Sequence, residues 1–472
     1  MKKENLTTSE DFSNNIYLLK GFAGMSVPLT HWFITILVFS IPVTLNVLIL
    51  FIFELGGVAF EIFIFLSGML LAINMVKSEN GQHSWKNWYK RRVIRLYPNF
   101  ILVSLINFFF ISFFSFLPYS STPNYFVTRD INDLFVNLSG FQSIPIKNHF
   151  GGIITHYWFL FLIFTCYILF PIFYFVVKKW FKLMIIISIV SFCCYVIFFE
   201  PIFQGSDYIL NSLFNHNFVI SEFRRFPVRY FDFFFGILFG YWIGQDGMRN
   251  LRKLQNNTLI KVLILISLIS IFMLHLYVLS FLGNSGNFRV YTEMSNTTRN
   301  LTFPLLGILF SVFILITLVN RSNITKKFTL PGKVSYEIIL VHNIPLNINS
   351  YIFNWSAEGK TILSNETKFN YGYLSIPLIF ISTLLLAYPF YRFGEWVKKK
   401  KKLHIFVLII SISLIIYGLC ATMLFLFHFT QFNDLFSIVL FIIILLSIGT
   451  FFYWRNIKTG KELFTNQINA IK

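Results

Sequence analysis

The stretch KGFAGMSVPLTHWFITILVFS, residues 20–40, forms the first long apolar run of the chain and has a lysine at its start. On an α-helix His31 would lie about 16 Å from Lys20, near the middle of a ~30 Å hydrocarbon core. Eleven steps of about 100° bring the two side chains back to almost the same helical face. Because an imidazole is costly at that depth, the stretch predicts a membrane-spanning helix with a functional histidine.

The composition of the whole chain agrees with a membrane protein. Hydrophobic residues make up 56% of the 472 residues, charged residues 12%, and Phe occurs 62 times. Long apolar runs without strand-like alternation are typical of polytopic helical membrane proteins, so we predict an all-α fold with about twelve transmembrane helices. The predicted spans cover residues 20–40, 58–76, 98–118, 154–177, 181–199, 227–244, 259–281, 300–319, 334–353, 371–391, 403–427 and 434–454.

The net charge is +19, and the distribution of the basic residues agrees with the predicted topology. With the N-terminus inside, 30 of the 39 Lys and Arg residues fall on the cytosolic side and 9 on the external side. This asymmetry is the positive-inside rule, so we expect both termini in the cytosol and no nucleic-acid partner. Richness in Phe, Ile, Lys and Asn indicates an AT-rich bacterial genome. We expect the protein to lie in a bacterial plasma membrane.

The same pattern predicts how the chain is divided. We expect a cytosolic tail at 1–19, a main transmembrane domain at 20–396, two additional helices at 397–454 and a cytosolic tail at 455–472. Residues 41–55 are either an outward extension of the first span or a re-entrant piece. Aromatic and basic residues interleave over 84–97, which favours a helix lying in the inner membrane interface. All four cysteines fall within predicted spans, and their spacing predicts neither a disulfide framework nor a metal site.

Seven short motifs follow one another at the depths of these spans. They are Lys20-Gly21 with His31; Gly57-Val58-Ala59-Phe60-Glu61 through Ser67-Gly68; Arg91-Arg92-Val93-Ile94-Arg95 through Pro98; His156-Tyr157-Trp158-Phe159-Leu160 with Tyr167 and Pro171; Arg229 with Asp232-Phe233 and Gly236; Val334-Ser335-Tyr336 with His342; and Glu395. In this order they resemble the motifs of the membrane-bound acyltransferase type 3 family, over roughly residues 16–396. The family's opening Arg is Lys20 here, which keeps the positive charge but not the bidentate contacts of a guanidinium.

The resemblance implies an O-acyltransferase that uses cytosolic acyl-CoA, usually acetyl-CoA, as donor. It implies an envelope or lipid-linked polysaccharide as acceptor. Some relatives carry an external hydrolase-like domain; we expect none here, so that the chain delivers directly or depends on a separate external transferase. No metal is expected in the reaction.

Acyl transfer from a thioester to a hydroxyl needs a base or a nucleophile, and His31 can serve as either. Glu61 is the second candidate catalytic residue. We expect it to pair with Lys20 or a neighbouring Arg, because a lone carboxylate is expensive at that depth. Arg92 and Arg95 lie on one helical face and, with Lys20, are candidates to bind the phosphates of acyl-CoA.

Other interpretations stay open. Arg92 and Arg95 also fit membrane topology and contact with lipid headgroups, and His342 fits a hydrogen bond that orders the ninth span. Arg224, Arg225 and Arg229 could meet an anionic acceptor, although snorkelling cations are the commoner explanation. An alternative function is a transporter or flippase for a glycolipid or polysaccharide intermediate. The absence of similarity between the two halves of the chain argues against it, since many transporters are built from repeats.

Overall fold

The structure is a computed structural model. It describes residues 2–40, 47–78, 84–115, 134–135, 138–139, 158–195, 221–246, 249–283, 288–318, 329–352, 365–426 and 442–448. Helices and the short turns between them account for these residues, and no strand occurs among them. The predicted all-α class is therefore confirmed.

The helices are numbered here in chain order. They are α1 (Lys2–Ser40), α2 (Val47–Ser78), α3 (Trp85–Ser115), α4 (Trp158–Cys194), α5 (Ser221–Gln245), α6 (Arg249–Asn256), α7 (Thr258–Gly283), α8 (Phe288–Thr317), α9 (Thr329–Lys333), α10 (Ser335–Val341), α11 (Asn343–Ile352), α12 (Asn365–Lys399) and α13 (Lys401–Leu426).

Within the described residues, 6 helices are long and apolar enough to cross a membrane. They contain the segments Leu55–Ser78, Trp85–Phe110, Leu162–Cys194, Thr258–Val278, Thr298–Thr317 and Pro377–Lys399. A helical membrane protein is thus supported, whereas the count of about twelve spans is not confirmed and stays a prediction. The long α4 bends at Trp180, whose φ of −130° and ψ of 43° are not helical. This bend separates the predicted spans 154–177 and 181–199.

Several helix bounds differ from the prediction. Helix α1 begins at Lys2, so the predicted N-terminal tail is helical. Residues 47–55 belong to the start of α2 and do not extend the first span, while residues 41–46 lie outside the described residues. Helix α3 runs without interruption from Trp85 through Pro98. The predicted interfacial helix at 84–97 is therefore not separate from the span that follows it.

The chain divides into two compact units. The first combines Met1–His83 with Leu162–Pro389, and the second combines Ser84–Phe161 with Phe390–Lys472. In the second unit α3 packs against α13, and the buried Tyr97 donates a hydrogen bond from its hydroxyl to the carbonyl of Ser139 over 3.3 Å. The predicted boundary between 396 and 397 is not tested by this division and stays a prediction.

The most extensive helix contact in the first unit joins α2 and α5. Gly68 lies directly against the carbonyl of Phe233, and Gly236 lies directly against the carbonyl of Phe65. Because any Cβ would collide with backbone at these points, only glycine allows the two helices to approach so closely. Further along the same contact Gly240 lies against Met69, and Gly244 lies against Val76. From Gly236 to Gly244 the residue numbers therefore rise together on both helices, so α2 and α5 run parallel, as the alternation of the second and sixth predicted spans requires.

Candidate active site

The rings of His31 and His342 lie against each other in the first unit. Their centroids are 5.2 Å apart and the ring planes differ by 20°. His31 is half-buried on α1, and His342 is 0% exposed at the junction of α10 and α11. The structure therefore brings the predicted catalytic histidine into contact with His342, the last histidine of the motif set.

A hydrogen bond to the preceding turn holds the His342 ring in place. Helix α10 ends at Val341, and α11 begins at Asn343. The Nδ1 atom of His342 lies 2.7 Å from the carbonyl oxygen of Ile339, and a carbonyl only accepts, so Nδ1 carries the proton and donates it. This bond agrees with the expectation that His342 orders its segment, and it leaves Nε2 as the nitrogen able to change protonation.

The distance between the two rings is set by a close backbone contact. A Cβ built on Gly24 would lie 3.1 Å from the Cβ of Ser335, at the start of α10. Ser335 is itself held by a 3.0 Å hydrogen bond from its hydroxyl to the carbonyl of Gly332. Because Gly24 lies two turns before His31, this contact fixes α1 and α10 at the separation that the ring pair needs.

Helix α2 is joined to α1 beside His31. The backbone N–H of Gly56 donates a buried 2.8 Å hydrogen bond to the Thr30 hydroxyl. Glu61 follows five residues later, about 7.5 Å further along the helix axis. The hydrogen bond therefore places Glu61 about one and a half turns from the level of the histidine pair.

Glu61 forms an ion pair inside the unit. The Nε of Arg229, on α5, lies 3.6 Å from Glu61 Oε1, and the side chains are 6% and 4% exposed. The predicted pairing of Glu61 with an arginine is thus met by Arg229. The interpretation of Arg229 as a snorkelling cation is wrong, since it is buried and paired; the side chains of Arg224 and Arg225 lie outside the described residues.

A second carboxyl group completes this charge cluster. Asp232 is 0% exposed, one turn after Arg229 on α5, and within electrostatic reach of both Glu61 and Arg229. Among the described residues, neither carboxyl oxygen of Asp232 nor Glu61 Oε2 has a hydrogen-bond partner. Two carboxyl groups facing one guanidinium in a dry interior need a shared proton or a further cation to be neutral.

Comparison with known proteins identifies the family. A family model of the acyltransferase 3 family, described as an acyltransferase domain, matches residues 13–392. The chain belongs to the acyltransferase 3 family. No curated protein and no solved structure matches the chain. The region matched contains both the histidine pair and the Glu61–Arg229 pair, and it ends just before Glu395.

The predicted donor-binding residues of this acyltransferase 3 chain have different surroundings. Lys20 is half-buried on α1 of the first unit. Arg92 and Arg95 lie on α3 in the second unit, where the Arg92 guanidinium carbon is 5.3 Å from the centre of the Trp88 ring and Arg95 is exposed. Within the described residues no group of three or more His, Cys, Asp or Glu is arranged to hold a metal ion.

One buried histidine of the family region escaped the sequence analysis. His275 is 2% exposed on α7, a helix whose other side chains are mostly half-buried or exposed. Its Nδ1 lies 2.8 Å from the Thr302 hydroxyl, which itself donates to the Thr298 carbonyl over 2.7 Å. Because that hydroxyl has a single hydrogen, His275 is the donor to Thr302, and the bond joins α7 to α8. The available signal was a lone histidine in an apolar span.

Proposed function

We propose that this protein is an integral-membrane O-acyltransferase. It transfers an acyl group, of which acetyl is the simplest, from cytosolic acyl-CoA to a hydroxyl of an envelope or lipid-linked polysaccharide. Membership of the acyltransferase 3 family and the apolar helices support a membrane acyltransferase. The observation that carries the reaction chemistry is the histidine pair inside the family region, with His31 held against the buried ring of His342.

His31 is the proposed base. Its neutral imidazole takes the proton of the acceptor hydroxyl, and the oxygen forms a bond to the thioester carbonyl carbon. The carbon–sulfur bond then breaks, and CoA leaves as a thiolate that accepts a proton and becomes the thiol. If His31 instead carries the acyl group covalently, the products are the same ester and the same thiol.

Arg92 and Arg95 of the second unit are proposed contacts for the donor phosphates, and Lys20 of the first unit is proposed separately as a donor-binding residue. Guanidinium groups suit phosphate oxygens because they donate in a planar fork, whereas Lys20 contributes a compact positive charge. The contact of Arg92 with the Trp88 ring restricts its guanidinium group, and such a restriction reduces the conformational freedom lost when an anion binds.

The proposal includes the membrane and the orientation in which the reaction takes place. We place the protein in a bacterial plasma membrane with both termini in the cytosol, so that donor and basic residues share one side. The acceptor is then reached either directly or through a separate external transferase. A transporter or flippase, the alternative considered from the sequence, is not supported by the family match.

The test uses the full-length protein reconstituted in vesicles with acetyl-CoA labelled in the acetyl group and a membrane glycan fraction. We expect label in the glycan as an alkali-labile ester, and release of free CoA thiol in equal amount. Vesicles without the protein give the background. Movement of unmodified glycan across the bilayer, with no thiol release, would refute the enzyme and favour the transporter.

A further inference from the structure

We propose that His342 is a positioning residue for His31, acting through the face of its ring. It orients the His31 imidazole and stabilises the protonated form that this imidazole takes during acyl transfer. The inference rests on the proposed function of His31 as the base, and it adds a specific role for a residue that hydrogen bonding alone would class as structural.

The geometry of the pair indicates contact between ring faces. At 20° between planes and 5.2 Å between centroids, the rings are stacked with an offset. The N–H bonds of each imidazole lie in its ring plane and therefore point past the other ring. Direct proton transfer between the two histidines is disfavoured in this arrangement, whereas an attraction between a ring face and a cation is favoured.

The surroundings of His342 hold its ring in a fixed orientation. The ring is 0% exposed, and its Nδ1–H is engaged with the Ile339 carbonyl at 2.7 Å. This hydrogen bond fixes the orientation of the ring, and the contact of Gly24 with Ser335 holds α1 at the matching distance. His31 is only half-buried, so it keeps an open side for the acceptor hydroxyl.

The effect on the reaction follows from when the charge appears. His31 is neutral in the ground state and becomes an imidazolium ion as the hydroxyl loses its proton. A cation over an aromatic face is stabilised, so His342 lowers the barrier by an amount that corresponds to about 2- to 30-fold in kcat. Because the interaction is made only when the charge develops, KM should change little.

The test compares three substitutions in the reconstituted protein. His342→Phe keeps the ring face and loses the bond to Ile339. His342→Leu has similar volume and loses both, and His342→Asn keeps a donor near the Nδ1 position but has no ring. We expect His342→Phe to retain most of the wild-type kcat, while the Leu and Asn variants lose about 2- to 30-fold with KM unchanged within a factor of two.

His275→Leu is the matched control, because His275 is equally buried, donates from Nδ1 and lies 5.2 Å from the Phe303 ring. We expect it to lower thermal stability and leave kcat per folded molecule unchanged. A Phe variant as slow as the Leu variant, or an Asn variant as fast as wild type, would overturn the role of the ring face. Should the Leu and Asn variants fail to fold, His342→Tyr and His342→Gln make the same comparison of ring against donor.

The experiment distinguishes failure of the proposed function from failure of the proposed role of His342. In that case wild-type protein forms no ester, or His31→Ala remains fully active, whatever residue occupies position 342. If ester formation depends on His31 and all His342 variants match wild type, only the positioning role is refuted.

Discussion

Arg229 Nε lies 3.6 Å from Glu61 Oε1, and the two side chains come from helices that are packed through glycine. Gly236 follows Arg229 on α5, and Gly68 follows Glu61 on α2, so the tight contact and the ion pair share the same two helices. With Asp232 beside them, Arg229 contributes the positive charge to a cluster that contains two buried carboxyl groups. This makes Arg229 important for folding, independently of any part it has in the reaction.

Arg229→Ala should therefore destabilise the protein strongly. Removing one partner of a buried ion pair leaves an uncompensated charge and costs about 3–5 kcal/mol. The measurement is the melting temperature of the detergent-solubilised protein by fluorescence-detected size exclusion. The double variant Arg229→Met/Glu61→Gln removes both charges and should be more stable than Arg229→Ala. An Arg229→Ala protein that melts with the wild type would contradict the ion-pair assignment.

His31→Ala should abolish ester formation while the protein still inserts in the membrane. Positioned acid–base catalysis contributes about 10²–10⁴-fold, and loss of a covalent carrier would cost at least as much. His31→Gln keeps a hydrogen-bonding group but cannot take up a proton, so it should be equally inactive. Ester content of the glycan is measured at equal membrane abundance, with His404→Ala as the control histidine. Near-normal esterification in the Gln variant would remove His31 from the mechanism.

Arg92→Ala and Arg95→Ala should weaken donor binding more than stability. Each replacement removes a charged hydrogen-bond donor and should cost about 1.5–3 kcal/mol in CoA affinity. The change is read by calorimetric titration of purified protein with CoA. Arg91→Ala, on the same helix and exposed, is the matched control and should bind normally. If the double variant binds CoA as wild type does, the two arginines serve topology alone.

The predicted orientation can be tested by labelling. A membrane-impermeant maleimide added outside the cell should react with a cysteine introduced at Asn296 and not with one introduced at Lys400. The physical reason is the excess of Lys and Arg on the inner side, 30 against 9. The unmodified protein gives the background of its four cysteines. The reverse labelling pattern would invert the topology and move the proposed donor side with it.

Gly236→Leu should separate α2 from α5. Any side chain at this position meets the backbone carbonyl of Phe65, and backbone cannot move aside as a side-chain tip can. We expect a melting temperature several degrees below that of wild type, together with loss of activity through the displaced Glu61. Gly394→Ala is the milder comparison, because a Cβ there meets only side-chain atoms of Asn99, which can move aside.

The sequence predicted the helical membrane class, and it placed Lys20 and His31 on one helix, because both depend on local patterns. Hydrophobic runs and an eleven-residue separation are visible without knowledge of tertiary contacts. For Glu61 the sequence predicted a partner that is either Lys20 or an arginine, but it could not identify Arg229. The two residues are far apart in the chain, and no periodicity in the sequence indicates a contact between them. Pro98 shows that a local pattern can also mislead. Proline usually ends or kinks a helix, yet Pro98 lies inside the continuous α3.

The contact between His31 and His342 was not foreseen for the same reason. His342 was expected to order its segment, and its bond to Ile339 does so. The stacking with His31 depends on how closely Gly24 approaches Ser335, which is a property of two helices distant in sequence. Distances of this kind follow from packing, which a single sequence does not encode in any local signal.

The parallel pairing of α2 with α5 also has a consequence for biosynthesis. Glu61 emerges from the ribosome roughly 170 residues before Arg229, which at ordinary translation rates is about ten to thirty seconds. During that interval the nascent chain holds an acidic helix whose compensating cation has not been made. When α5 reaches the correct register, Arg229 pairs with Glu61, so the ion pair couples completion of one half of the unit to stable insertion of the other.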